Sequence, residues 1–222
     1  MNIKRLLSYF VPINIHQKKS KINNNLEITW NNGQLVLDSK NTNFSYGSLQ
    51  KVLRKGLQEI GFEKIIDFKN ILILGVAGGS VIKTLVDEIQ FKGHITGVEI
   101  DPETIKLANT YFGLKSIQNL EIIIDDAQNF IEKTNQQFDL IIIDIFEDNV
   151  MPKFLFDEIF TNNILNCLTE NGRIIFNTIV ATNNQQVRNE SYHALIKTKF
   201  KVVKKLSNIE GNNELFIAFE KN

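Results

Sequence analysis

The 222-residue chain predicts a doubly wound, mostly parallel α/β sheet of seven strands with a small β-hairpin appended at its N-terminal side. Three observations predict it. From Asn70 onward, short β-branched runs alternate with helical patterns, an order that implies a parallel sheet with helices on both faces. The run Ile71-Leu-Ile-Leu74 stops at Gly75-Val-Ala-Gly-Gly-Ser80, and about twenty residues later comes Gly97-Val-Glu-Ile-Asp101, the arrangement with which such sheets build a nucleotide site. Last, Glu210-Gly-Asn-Asn213 separates two strand-like runs, so the parallel pattern closes on an antiparallel hairpin.

Each element has its own signal. Residues 26 to 30 and 34 to 38 flank Asn31-Asn-Gly33, and Asn-Gly between β-rich runs marks a hairpin. Leu49, Val52, Leu53, Leu57 and Ile60 recur at helical spacing across 45 to 60, and Gly61 ends that helix as a C-cap. Strand 71 to 74, helix 80 to 90, strand 95 to 99 and helix 103 to 112 form two βα units. Strand 120 to 124, helix 127 to 133, strand 139 to 143, helix 153 to 168 and strand 173 to 178 continue them. A helix over 184 to 197 then precedes the closing strands, 200 to 206 and 214 to 220. Residues 1 to 60 therefore read as an arm, a hairpin and a helix, and 61 to 222 as the ligand-binding domain.

Composition narrows the function classes. The chain is 43% hydrophobic, and 25 basic residues balance 25 acidic ones, so net charge neither favours nor rejects nucleic acid; no nucleic-acid partner is expected. One cysteine, Cys167, excludes an internal disulfide framework and is compatible with a cytoplasmic location. His16, His94 and His193 are scattered, and no metal site is expected. Residues 1 to 21 hold Lys4, Arg5, Lys18, Lys19 and Lys21 with no acidic residue. The short apolar run there is interrupted by Pro12 and lacks a cleavage site, which argues against a signal peptide. No segment offers about 18 uninterrupted apolar residues, so no membrane span is expected.

The strand ends assemble a site, because ligands of open α/β sheets bind beyond the carboxyl ends of the strands. Strand 71 to 74 ends in Gly75, Ala77, Gly78, Gly79 and Ser80, whose lack of bulk lets a ligand lie against the backbone. The next ends in Glu99, placed to bind two ribose hydroxyls, followed by Ile100, an apolar face for a ring. The third ends in Asp125-Asp126-Ala127, where a carboxylate accepts from an exocyclic adenine amine. The fourth ends in Asp144-Ile-Phe-Glu147-Asp148. So many carboxylates repel a polyphosphate and suit a cation such as the sulfonium of S-adenosylmethionine. The turn has no Lys or Arg, and the Gly-x-x-x-x-Gly-Lys-Ser/Thr pattern is absent. Gly75, Ala77 and Ser80 keep the spacing of a dinucleotide fingerprint, but the later carboxylates and the antiparallel ending favour a class I methyltransferase type of fold.

With Gly97-Val-Glu-Ile-Asp-Pro102, Asp125-Asp-Ala127, Ile141-Ile-Ile-Asp144 and Leu35-Val-Leu-Asp38, the chain resembles the spermidine-synthase-like group of S-adenosylmethionine-dependent transferases, from about residue 26 to 180. The resemblance implies S-adenosylmethionine or its decarboxylated form as cofactor, held by Gly75, Ala77, Gly78, Gly79, Glu99, Ile100, Asp126, Ala127 and Asp144. It places Glu99 on the ribose, Asp126 on the adenine amine and Asp144 on the amine of the attacking substrate or cofactor tail. It also makes a homodimer plausible. The departures matter more. Polyamine makers carry Gly-Gly-Gly-Asp-Gly-Gly in the turn, and Gly78 stands where the aspartate would meet the aminopropyl amine. Their Asp-Ser-Ser-Asp is here Asp144-Ile-Phe-Glu147, and the gate is reduced to Asn43-Phe-Ser-Tyr46-Gly-Ser-Leu49. These changes favour methyl transfer to a small-molecule acceptor, with Tyr46 and Asp148 on the acceptor side. Aminopropyl transfer making a polyamine is the alternative, and a non-catalytic cofactor-binding protein is the third reading. In either transfer an amine nucleophile must lose a proton, for which Asp144 and Glu147 are the candidate acceptors.

Overall fold

The computed structural model describes residues 3–23, 25–39, 43–146 and 150–222. In chain order the N-terminal part comprises α1 (Ile3–Leu7), β1 (Ile13–Lys18), β2 (Leu26–Asn31), β3 (Gln34–Ser39), β4 (Asn43–Ser45), α2 (Gly47–Ile60) and the short α3 (Phe62–Ile65). The remainder runs β5 (Asn70–Leu74), α4 (Ser80–Lys83), β6 (His94–Glu99), α5 (Pro102–Tyr111), β7 (Leu120–Ile124), α6 (Ala127–Lys133), β8 (Phe138–Ile143), α7 (Glu158–Asn166), β9 (Leu168–Ile179), α8 (Asn183–Lys197), β10 (Phe200–Ile209) and β11 (Asn213–Lys221).

The main sheet has the seven expected strands, in the order β10-β11-β9-β8-β5-β6-β7. Strands β5 to β9 pair in parallel, and β11 inserts antiparallel between β9 and β10. Because helices cover both faces, the central strands are apolar on both. Along β5, Ile71 and Ile73 enter the core shared with α2, the α4 turn and α5, while Leu72 and Leu74 enter the core shared with α6, α7 and α8. Along β8, Leu140 and Ile142 divide from Ile141 and Ile143 in the same way, as the two-residue period of a strand requires.

The chain order reverses direction between β5 and β8, which is where an open sheet leaves its crevice. Backbone hydrogen bonds carry the pairing one residue past the strands there: Asp144 N–H donates to Leu74 O at 2.9 Å, and Gly75 N–H donates to Val98 O at 3.0 Å. Gly75 has φ +88°, and a Cβ on it would lie 2.2 Å from Asp144 O. Only glycine fits at this crossing.

Several sequence expectations need correction. The appendage is a four-stranded antiparallel sheet, β1-β2-β3-β4, rather than a lone hairpin. β1 is a polar, partly exposed edge strand and β4 has three residues, so neither carries a readable alternation. The helix expected from 45 starts at Gly47, because Ser45 ends β4. The helix expected over 80 to 90 winds into a π-turn over Thr84–Glu88, and Gln90 leaves it at φ 64°. The helix expected over 153 to 168 is a 3₁₀ turn, Lys153–Phe156, and a separate α7, divided at the extended Asp157. Helix α2, grouped by sequence with the N-terminal part, buries Val52, Leu53, Leu57 and Ile60 in the core of the main sheet. The small sheet packs on α5 through Leu26, Ile28, Leu37 and Leu107.

Candidate functional site

The carboxyl ends of β5, β6, β7 and β8 open into one cleft. Gly75, Ala77, Glu99, Ile100, Asp126, Ala127 and Asp144 all line it, so seven residues singled out from the sequence converge. Gly79 lies in the turn beside them, its N–H donating to Val76 O at 2.9 Å. Glu147 and Asp148 fall outside the described residues.

Glu99 ends β6 nine-tenths buried and is held by backbone alone. Its Oε2 accepts from Val76 N–H at 3.1 Å and Ala77 N–H at 3.0 Å, and its Oε1 accepts from Asp101 N–H at 3.0 Å. Ala77 sits at φ 48°, a left-handed conformation uncommon for a residue with a side chain, in the turn whose N–H groups meet the carboxylate. Burial pushes the Glu99 carboxyl above the usual range, and the three backbone donors oppose that rise. A fixed carboxylate with a free lone pair on Oε1 suits a diol.

At the end of β7, Asp126 caps α6: its Oδ1 accepts from Asn129 N–H at 3.1 Å. That leaves Oδ2 for a ligand donor. Asp125 holds its own next residue, accepting from Asp126 N–H at 2.8 Å, and also lines the cleft. Ile100 is left 42% exposed, an apolar face turned to the opening.

Asp144 ends β8. Its Oδ1 accepts from Asn177 Nδ2 at 2.9 Å, and burial raises its pKa to about 7, an effect that the Asn177 hydrogen bond opposes. A carboxyl poised there changes protonation state near neutrality, as an acceptor of a nucleophile's proton should. Tyr46 lies off the cleft lining. It adopts φ 70°, stacks on Phe112 with ring centroids 4.4 Å apart, and burial lifts its phenol well above the usual range. Gly78 also faces this corner. A Cβ on Gly78 would come 2.8 Å from Ser45 Cβ and 3.3 Å from Tyr46 Cε2, while Ser45 Oγ accepts from Ser80 N–H at 3.1 Å.

Sequence reasoning missed Ile22, Asn23 and Thr104 in the lining, and Asn177 behind Asp144. Ile22 and Asn23 arrive from a polar stretch with no pattern. Asn177 did leave a trace, as a polar residue ending the apolar run Ile174-Ile-Phe176. Among the described residues no acidic, histidine or cysteine cluster suits a metal, and no helix is long and apolar enough to cross a membrane.

With this geometry in view, residues 51–209 match the spermine/spermidine synthase domain. The chain belongs to the spermine/spermidine synthase family. Within that family, a polyamine aminopropyltransferase of Buchnera aphidicola is 39% identical over 109 residues, which are 47% of this chain and 38% of that relative. The chain thus matches less than half the length of that curated relative. Among solved folds, a spermidine synthase in complex with the transition state analogue AdoDATO superposes with TM-score 0.72 at 19% identity, covering 94% of this chain and 74% of the other. Human methyltransferase-like protein 13 in complex with SAH gives TM-score 0.67 at 21% identity, covering 78% and 82%. The seven-stranded methyltransferase-like fold is therefore common to family members and to methyltransferases.

Proposed function

We propose that this family member binds S-adenosylmethionine and transfers its methyl group to a small-molecule acceptor. The observation that carries this reading is the crowding at Gly78. A family site for aminopropyl transfer needs a carboxylate in the turn to meet the aminopropyl amine. Here the β4–α2 corner, Ser45 and Tyr46, occupies the space that even a Cβ would require.

The residues present fit the cofactor. Glu99 presents acceptors to a diol, Asp126 Oδ2 presents one to an amine, and Thr104 Oγ1 is a buried hydroxyl with no partner in a cleft it lines. S-adenosylmethionine, when bound, supplies an electrophilic methyl group on a sulfonium. The chain's own work is to orient and to move a proton. Asp144 takes the proton of the incoming nucleophile, leaving a lone pair free for in-line displacement. Asn177 holds its Oδ1, so Oδ2 is the oxygen available. With a pKa of about 7, Asp144 becomes ionised and competent as the pH rises through neutrality, so the rate rises over that interval.

Aminopropyl transfer is the second reading, favoured by the family match and by the 39% identical relative. Calorimetry with S-adenosylmethionine and its decarboxylated form, side by side, separates the two. We expect tighter binding of the intact cofactor. A clear preference for the decarboxylated form sinks the methyl-transfer reading.

A further inference from the structure

We infer that Asp101 is a positioning residue for the cofactor, latching the β1–β2 connection over the nucleoside end of the cleft and so setting how slowly the cofactor leaves. Asp101 does not line the cleft, and it is 1% exposed. Its Oδ1 caps α5 by accepting from Glu103 N–H at 3.0 Å. Its Oδ2 reaches out of the domain, accepting from Ser20 Oγ–H at 2.5 Å and Asn23 Nδ2–H at 2.7 Å. Ser20 in turn shapes the connection, its Oγ accepting from Asn23 N–H at 2.7 Å and Ile22 N–H at 3.1 Å. The two residues this brings to the cleft wall are Ile22 and Asn23.

Three features give the latch a role beyond holding the small sheet. The sheet is docked on α5 by its own apolar contacts, Leu26, Ile28 and Leu37 on Leu107, and by the Lys18–Glu103 ion pair, whereas the Oδ2 bonds hold the connection. Ile22 and Ile100 remain 43% and 42% exposed, and both line the cleft, as two apolar faces awaiting a flat ring would. The backbone N–H of Asp101 donates to Glu99 Oε1, so the residue that ties down the outer wall also orients the carboxylate assigned to the ribose. One turn further on, Thr104 also lines the cleft, its hydroxyl buried without a partner. A cofactor entering or leaving past this wall must break the two Oδ2 hydrogen bonds.

The inference rests on the cofactor reading above, and the test separates the two. The double variant Ser20→Ala with Asn23→Ala removes both Oδ2 partners and leaves the α5 cap and the Glu99 bond in place. Binding of S-adenosylhomocysteine to the full chain is measured by calorimetry, its dissociation by stopped flow, and the ligand-free Tm alongside. We expect dissociation about tenfold faster at a temperature well below unfolding, together with a lower ligand-free Tm, because the buried Asp101 Oδ2 loses both of its partners. Ser20→Thr, which keeps the hydroxyl, should retain the wild-type rate. Unchanged dissociation in the double variant overturns the latch, as does weaker binding that comes only with a lowered Tm and no faster release. Wild-type protein that does not bind S-adenosylhomocysteine overturns the cofactor reading and the latch together.

Discussion

At the scale of single residues, Asp144 is a carboxyl whose energetics depart far from those of a free one. Below about pH 4 it is protonated folded and unfolded alike, and contributes no pH dependence. Between there and pH 7 the unfolded chain gives up the proton while the folded protein keeps it, so stability falls as pH rises. Above about 7 both states are ionised and the penalty is constant. Asp144→Asn removes this penalty and retains an oxygen for Asn177. Its Tm should match wild type near pH 4, exceed it increasingly toward pH 7, and hold that lead at pH 8. The ceiling is about 4 kcal/mol, at 1.36 kcal/mol per unit, lowered by whatever hydration the open cleft gives the carboxylate. A lead that is constant from pH 4 to 8 in thermal melts would show that burial does not raise this carboxyl. The position of Asp144 was legible in the sequence, since it directly follows the apolar run Ile141-Ile-Ile143. Its partner Asn177 was not assigned, because pairing across β8 and β9 is set by sheet order and register, with Ile143 opposite Phe176.

At the scale of elements, the ends of β5 and β8 were readable because these central strands are apolar on both faces and stop at Gly75 and Asp144. The corner between β4 and α2 was not. Ser45 and Tyr46 acquire their role only when that corner packs against Gly78, more than thirty residues away in sequence, and nothing local in Asn43-Phe-Ser-Tyr46 announces it. This packing predicts coupling. Gly78→Ala alone forces a Cβ against Ser45 and should cost about 1–3 kcal/mol, lowering Tm by roughly 2–10 °C. In the Ser45→Gly background, which removes the facing side chain, the same change should cost markedly less, giving an interaction energy of about 1 kcal/mol or more. Additive effects in this double-mutant cycle, followed by thermal unfolding, would mean that the corner is not seated on the turn. Methyl transfer would then lose the crowding at Gly78 as its support.

At the scale of the whole molecule, the N-terminal sheet has a far smaller core than either face of the main sheet, and meets the main domain at α5 and at the β4–α2 corner. The central strands of the main sheet are buried on both faces, whereas the N-terminal sheet has four buried residues in its cluster, one of them Leu107 of α5. Apolar burial of about 25 cal/mol per Å² makes the second body much the weaker, so it should open without the first. Hydrogen exchange on the intact chain tests this: amides of β2 and β3 should exchange through a sub-global opening of lower free energy than those of β5 and β8. Cofactor binding bridges the bodies, because the cleft takes Ile22 and Asn23 from one and Glu99 and Asp144 from the other. S-adenosylhomocysteine should therefore slow exchange across β2 and β3 as well as around the strand ends. Added protection confined to the main domain would show that the N-terminal sheet is a passive appendage. Uniform protection of both bodies without ligand would show that they unfold as one.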